Sequence, residues 1–248
     1  MNHPILRKIA CALLLCALVS GCVTGPQRRA FDRTGSDTIN SIEVLPMRHS
    51  EIDLFIFNNP GYSFGLIGVA IAEANRAPKS NWLQSEVGKA GFDHVATFDS
   101  ALTEALHAAG YELNWSPSPM ESANSDTRRD RSGLRKSYEP SSSDAQLDVG
   151  FGFVGYASAG SGDSAPYRPT VVLNARLVDS TGKRVLFEDQ IVYNAVVPGT
   201  SAAITINPDE RYRYPDFDDL QAAGPVAIEG LAPAFVATAK ELARQLQR

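Results

Sequence analysis

Leu147-Asp148-Val149-Gly150-Phe151-Gly152-Phe153 is the stretch that decides the fold class. Four apolar residues alternate with an aspartate and two glycines, the period of a β-strand with one buried face and one polar face. Two more stretches repeat the pattern. After a link over 155–169, Val171, Leu173, Ala175 and Leu177 alternate with Thr170, Val172, Asn174 and Arg176. Asp179-Ser180-Thr181-Gly182-Lys183 turns the chain, and Val185, Phe187, Ile191 and Tyr193 line the return. Three such strands, 147–154, 170–178 and 184–193, make an antiparallel meander with a single apolar face, and that face needs a cover.

Two helices can supply it. Over 93–109, Val95, Phe98, Leu102, Ala105, Leu106 and Ala109 recur at helical spacing, with Asp93 placed to cap the start and Gly110 the end. Over 234–247, Phe235, Ala239, Leu242 and Leu246 form a second stripe, with Pro233 at its beginning or at a kink. Strands are expected at 41–47, 52–57 and 111–115, the second ended by Asn58-Asn59-Pro60-Gly61. The expectation is an α+β domain over 39–248, with an antiparallel or mixed sheet covered by helices. One stretch breaks the pattern. Residues 116–146 are rich in Ser, Pro and charge and poor in apolar side chains, so they read as a disordered insertion. Within it, Arg128, Arg129, Arg131, Arg135 and Lys136 read as a solvated charged loop. Residues 207–221 read as a loop dense in aromatics and charge.

The N-terminus is an address. Arg7 and Lys8 precede an apolar run from Ile9 to Val19, and small residues lead to Cys22. Such a segment is a secretory signal and too short for a comfortable membrane span. Val19-Ser20-Gly21-Cys22 resembles the lipobox of bacterial lipoproteins. The resemblance implies that residues 1–21 are removed as a signal peptide and that Cys22 is lipidated, palmitate among its chains. Val23, where an aspartate would signal retention, implies sorting to the outer membrane with the domain facing the periplasm. Residues 22–38 are then a flexible tether, and the membrane is a partner through the lipid.

Composition narrows the function. The chain carries a net charge of −5, two units more negative once Arg7 and Lys8 leave, which speaks against a nucleic-acid partner. Cys11 and Cys16 leave with the signal, so no disulfide is expected and the domain stands on burial. Gly155-Tyr156-Ala157-Ser158-Ala159-Gly160 is one residue too long for a nucleophile elbow. His94 and His107 have no ligand at metal spacing and read as solvated surface groups. Asp216, Asp218 and Asp219 fail as a calcium loop, because Gln221 and Ala227 stand where glycine and glutamate are needed. Tyr62–Asn75 holds glycines at 65 and 68 and follows Gly61, a spacing that fits neither phosphate-binding pattern. It reads as a buried core helix, or else as a helix docking on a membrane or partner through Gly61, Gly65, Gly68 and Ala72. No catalytic residue, metal ligand or cofactor is expected. Arg211, Tyr212, Arg213 and Tyr214 interleave charge with aromatic rings and are the candidate contact residues.

The element order is similar to that of the small α+β domains of periplasm-facing envelope lipoproteins, such as the curli-secretion lipoprotein and the lipoprotein activators of cell-wall synthases. That resemblance implies a non-catalytic assembly or accessory factor of an envelope complex, with an envelope protein or further copies of the chain as partner. The alternatives are an envelope hydrolase and a lipoprotein binding a small apolar ligand. An enzyme needs convergent titratable groups in a pocket, whereas a contact protein needs an exposed apolar patch.

Overall fold

The meander forms as the alternation requires. β4 (Ala145–Ser158) pairs antiparallel with β5 (Arg168–Asp179), and β5 with β6 (Val185–Tyr193). The structure is a computed structural model and describes residues 28–33, 38–116, 129–160, 165–196 and 203–248. One feature of β4 overturns the sequence reading. The register passes from Phe151↔Leu173 to Phe153↔Val172, so Gly152 is an extra residue in a β-bulge. Leu147, Val149 and Phe151 face the core before the bulge; Val154 and Tyr156 do so after it. Phe153, expected beside Phe151, is turned to the opposite face and packs edge-on against Phe55 and Phe57.

A single stretch, 41–56, follows β4 from end to end. β1 (Ser41–Val44) pairs parallel with its start, Ile42 opposite Ala145. Arg48 bridges Gly150, and β2 (Asp53–Ile56) pairs parallel with the end, Asp53 opposite Gly155. Outside β1 runs β3 (Glu112–Trp115), and outside β6 runs β7 (Ile204–Ile206), each parallel to its neighbour. The result is a mixed seven-stranded sheet, β3-β1-β4-β5-β6-β7, with β2 also on β4. Parallel neighbours need a crossover, and α1 (Gly65–Ala90) and α2 (His94–Ala108) supply it between β2 and β3.

Helix α2 and the last helix, α5 (Leu231–Gln245), cover the apolar face. Before α5 come two short helices, α3 (Phe217–Ala223) and α4 (Pro225–Glu229). Phe98, Leu102 and Leu106 of α2 and Phe235, Ala239 and Leu242 of α5 are buried on the sheet. Phe151 sits between them, edge-on to Phe98 at 5.1 Å and to Phe235 at 5.7 Å. Asp93 caps α2 as expected, accepting from Ala96 N. His94, read as solvated, instead packs on Phe235 at 5.4 Å. It stands four residues before Phe98 and eight before Leu102, on the stripe that meets the sheet. Asp216 accepts from Asp219 N and starts α3, so part of the expected 207–221 loop is helical.

The second sheet face is polar, and the stretch read as a disordered insertion covers it. Residues 117–128 lie outside the described residues, but 129–146 are built into the domain. Leu134 is buried, Asn174 Nδ2 donates to Ser132 O (2.8 Å), and Arg176 Nη1 donates to Arg135 O (2.8 Å). Low hydrophobicity misleads here because the sheet face itself offers charges to pair with. The tether reading also needs correction: Arg29 pairs with Glu188, Arg28 with Asp189, and Phe31 is buried, so residues 28–33 lie along β6. Cys22 is outside the described residues.

Candidate functional site

The start of α1 is the part of the molecule that internal packing does not account for. Asn59 caps a 3-10 turn, Pro60–Ser63, by accepting from Gly61 N at 2.9 Å. Gly65, with φ +63, then turns the chain into α1, whose N-cap residue Phe64 offers no side-chain cap. The turn folds back on the helix. A Cβ on Gly68 would collide with Gly61 O, and one on Gly61 would come within 2.9 Å of the Ala72 Cβ. The small residues Gly61, Gly68 and Ala72 are thus consumed by the chain's own close approach. Apart from Tyr62, the large side chains between them are turned outward: Phe64 is 75% exposed, Leu66 90% and Ile67 78%, with Val69 and Ile71 beside them. The expectation of a buried core helix over Tyr62–Asn75 fails for these two turns; large side chains of α1 are buried only beyond that stretch, as at Leu83.

A ring of polar groups marks where the apolar tip ends. No charged residue lies between Asp53 and Glu73. Arg76 Nη1 donates to both Asp53 oxygens (2.8 Å each) and its Nε to Glu73 (2.9 Å), while Tyr62 OH donates to Glu73 Oε1 at 2.8 Å. Ser80 Oγ also donates to Asp53. Burial, and next the hydrogen bond to Glu73, push the Tyr62 hydroxyl up to about 12. The Tyr62 hydroxyl and the Arg76 guanidinium hold the Glu73 carboxyl below its ordinary range. The ring is internally satisfied.

The other charged cluster lies on the polar sheet face and is structural. Asp148, fully buried, accepts from Arg135 N (2.5 Å) and Tyr138 OH (3.0 Å) and pairs with Arg129 at 3.5 Å. Burial pushes its carboxyl up against the pull of the Arg135 amide and the two guanidiniums. Arg176 holds Glu188 through two contacts (2.7 and 3.1 Å) and Asp130 at 3.0 Å. These charges face one another; Arg135 also lines, with Glu43, Tyr138 and Gln146, a cavity of about 360 Å³.

The aromatic loop is brought together, but mostly inward. Tyr214 is buried, exchanges backbone hydrogen bonds with Tyr167 (2.8 and 3.0 Å), and lies 5.8 Å from the Tyr156 ring. Tyr212 is half-buried against Gly230, where a Cβ would come within 2.5 Å of its ring. Arg211 and Arg213 stay exposed, the first paired with Asp209 and lying over the Tyr212 ring, the second 3.9 Å from Glu210. Ser158, the serine nearest to a nucleophile motif, donates to the Gly160 (2.6 Å) and Ala165 carbonyls. A groove of about 780 Å³ between α2 and α5 is lined by Phe92, Ala96, Ile228 and Val236, with Asp93, Glu104, Glu229 and Lys240 along it. Among the described residues, no three His, Cys, Asp or Glu side chains are placed to hold a metal. Sequence reasoning reached the exposed tip only as the alternative of a docking helix, and through its small residues rather than its large ones. Its signal was present all the same: two helical turns apolar on every side, with no polar cap before them.

No family model matches the chain, and no curated protein matches it. Solved structures with a similar course of chain include a PelC dodecamer from Paraburkholderia phytofirmans, at 10% identity and TM-score 0.37 over 91% of this chain and 100% of that one. A DUF330 protein from Xanthomonas campestris is similar at 12% identity and TM-score 0.38, over 88% and 90% of the two chains. Lipoprotein GNA1162 from Neisseria meningitidis is similar at 16% identity and TM-score 0.26, over 62% and 81%. Likenesses at these scores leave family and function to be argued from the chain itself.

Proposed function

We propose that this protein is a lipoprotein anchored through Cys22 to the outer membrane, facing the periplasm, and that it works by contact as a non-catalytic accessory or assembly factor of the cell envelope. The observation that carries the reading is the exposed apolar start of α1. Monomeric proteins rarely leave a contiguous apolar patch of this kind in solvent unless it meets something. The charged clusters support the same reading, because their members are spent on one another and on the backbone.

The test has two arms in bacterial cells producing the full chain. Labelling with a fatty-acid analogue reads the anchor: label is expected on the wild type and absent from Cys22→Ala. A photo-reactive residue at Leu66, compared with one at exposed Glu104, reads the contact. Adducts are expected from 66 and not from 104. Equal labelling from both sites, together with turnover of envelope material by the purified protein, would replace contact with catalysis.

A further inference from the structure

We infer that the apolar tip of α1 is inserted into the lipid leaflet that holds the Cys22 anchor, so that the domain touches its membrane at two points. The inference rests on the anchored-contact reading above and names what the tip contacts.

The shape of the tip favours lipid over a protein surface. At 3.6 residues per turn, the exposed positions Leu66, Ile67, Val69, Ala70 and Ile71 sweep about 200° of the helix circumference. A helix packed on one neighbouring surface needs a stripe only a little over about 100° wide, whereas one apolar all round must be surrounded. Gly68 and Ala72, which close the circle, are covered by the chain's own turn. The depth fits as well. The apolar stretch from Gly65 to Ala72 is about 12 Å long at 1.5 Å per residue, close to the 5–10 Å that interfacial helices bury. Above it stands the ring of Tyr62, Glu73 and Arg76, an amphipathic aromatic beside charges at the level where headgroups would lie. Among the described residues, no single helix is long and apolar enough to cross a membrane, so the tip dips rather than spans.

The reach from Arg28 back to Cys22 is compatible with an anchor at the same end of the sheet. Residues 28–33 lie antiparallel to β6, running from its Tyr193 side toward its Val185 end. Strands β4 and β6 are both antiparallel to β5, so the Tyr193 end of β6 is the Ser158 end of β4, where β2 finishes and α1 begins. Arg28 reaches Asp189, whose ladder row passes through Ala175 to Val149. From that row to Ser158 is about 26–30 Å at 3.3 Å per residue. Six residue steps separate Arg28 from Cys22 and reach at most about 20 Å. An anchor at that limit falls about 6–10 Å short of the Ser158 row, at the end of the sheet from which α1 begins.

The test uses the acylated full chain in vesicles of phosphatidylethanolamine and phosphatidylglycerol. Cysteines introduced one at a time by Leu66→Cys, Ile71→Cys and Glu104→Cys carry an environment-sensitive fluorophore, and nitroxide-bearing lipid is the quencher. Blue-shifted emission and lipid quenching at 66 and 71 but not at 104 are expected. Water-like emission at 66, quenched by aqueous iodide as readily as at 104, overturns the inference. A blue shift at 66 that grows with protein concentration and ignores the nitroxide lipid also overturns it, in favour of a second copy; photo-adducts to protein rather than lipid do the same while leaving the contact reading intact. Failure of the anchor is read separately, by absence of acyl label on the wild type. The mature chain, residues 22–248 with Cys22→Ala, then isolates the tip: Leu66→Asp and Ile67→Asp should lower its vesicle partitioning about tenfold per added charge with no change in thermal unfolding.

Discussion

Replacing Arg176 with methionine should loosen the whole polar face of the sheet. The Arg176 side chain is 13% exposed and holds Glu188, itself 9% exposed, through a two-pronged contact. The same guanidinium reaches Asp130 and donates to Arg135 O and Tyr138 OH, so it ties the 129–138 segment to β5 and β6. Removing one member of a buried ion pair costs about 3–5 kcal/mol, because the partner stays buried without its counter-charge. For a domain of this size each kcal/mol moves the midpoint by about 2–4 °C, so a fall of roughly 10 °C is expected. Urea unfolding and thermal melts of full-length Cys22→Ala with and without Arg176→Met measure it. Trypsin should then cut sooner at the exposed Arg131 and Lys136. Adding Glu188→Met should restore much of the loss, since an apolar pair of similar volume tolerates the site. A single-variant cost below about 1 kcal/mol, the value of a solvated surface pair, would refute the claim that these charges hold the segment in place.

Two further outcomes follow from single positions. Burial, and then the Asp93 charge, push the Asp99 carboxyl up to about 6, and one of its oxygens is buried without a hydrogen-bond partner. A folded-state pKa above the ordinary 3.8 favours folding at low pH, and that advantage is lost as pH rises through about 6. Asp99→Asn should therefore gain about 1–2 kcal/mol over wild type at pH 7.5, discounted for partial exposure, and nothing near pH 4 in parallel melts. Gly155 holds φ +139, and a Cβ there would run into the Asp53 carbonyl. Gly155→Ala should cost about 2–4 kcal/mol and expose the amides of β2 to hydrogen exchange before those of β5.

Short-range periodicity carries what is legible in the chain alone. Alternation along 147–151, 170–178 and 185–193 specified three strands and their apolar faces, and the stripes Phe98-Leu102-Leu106 and Phe235-Ala239-Leu242 specified their cover. Asp93 and Gly110 marked the bounds of α2 because caps act within one turn. Tertiary structure decided what depends on partners distant in the chain. The extra residue at Gly152 reverses which side Phe153 faces, and no count of two can reveal it, because a bulge shows only against the register of β5. Residues 129–146 looked too polar to fold because the charges that pair with them, Asp148 and Arg176, lie further along the chain in β4 and β5. The glycines of 61–68 could have been a partner's groove or the chain's own. Packing the turn onto α1 settled that, and in doing so left Phe64, Leu66 and Ile67 facing outward. Burial is a property of the assembled molecule: local sequence states that a helix is apolar, and only its neighbours determine which of its turns they leave uncovered.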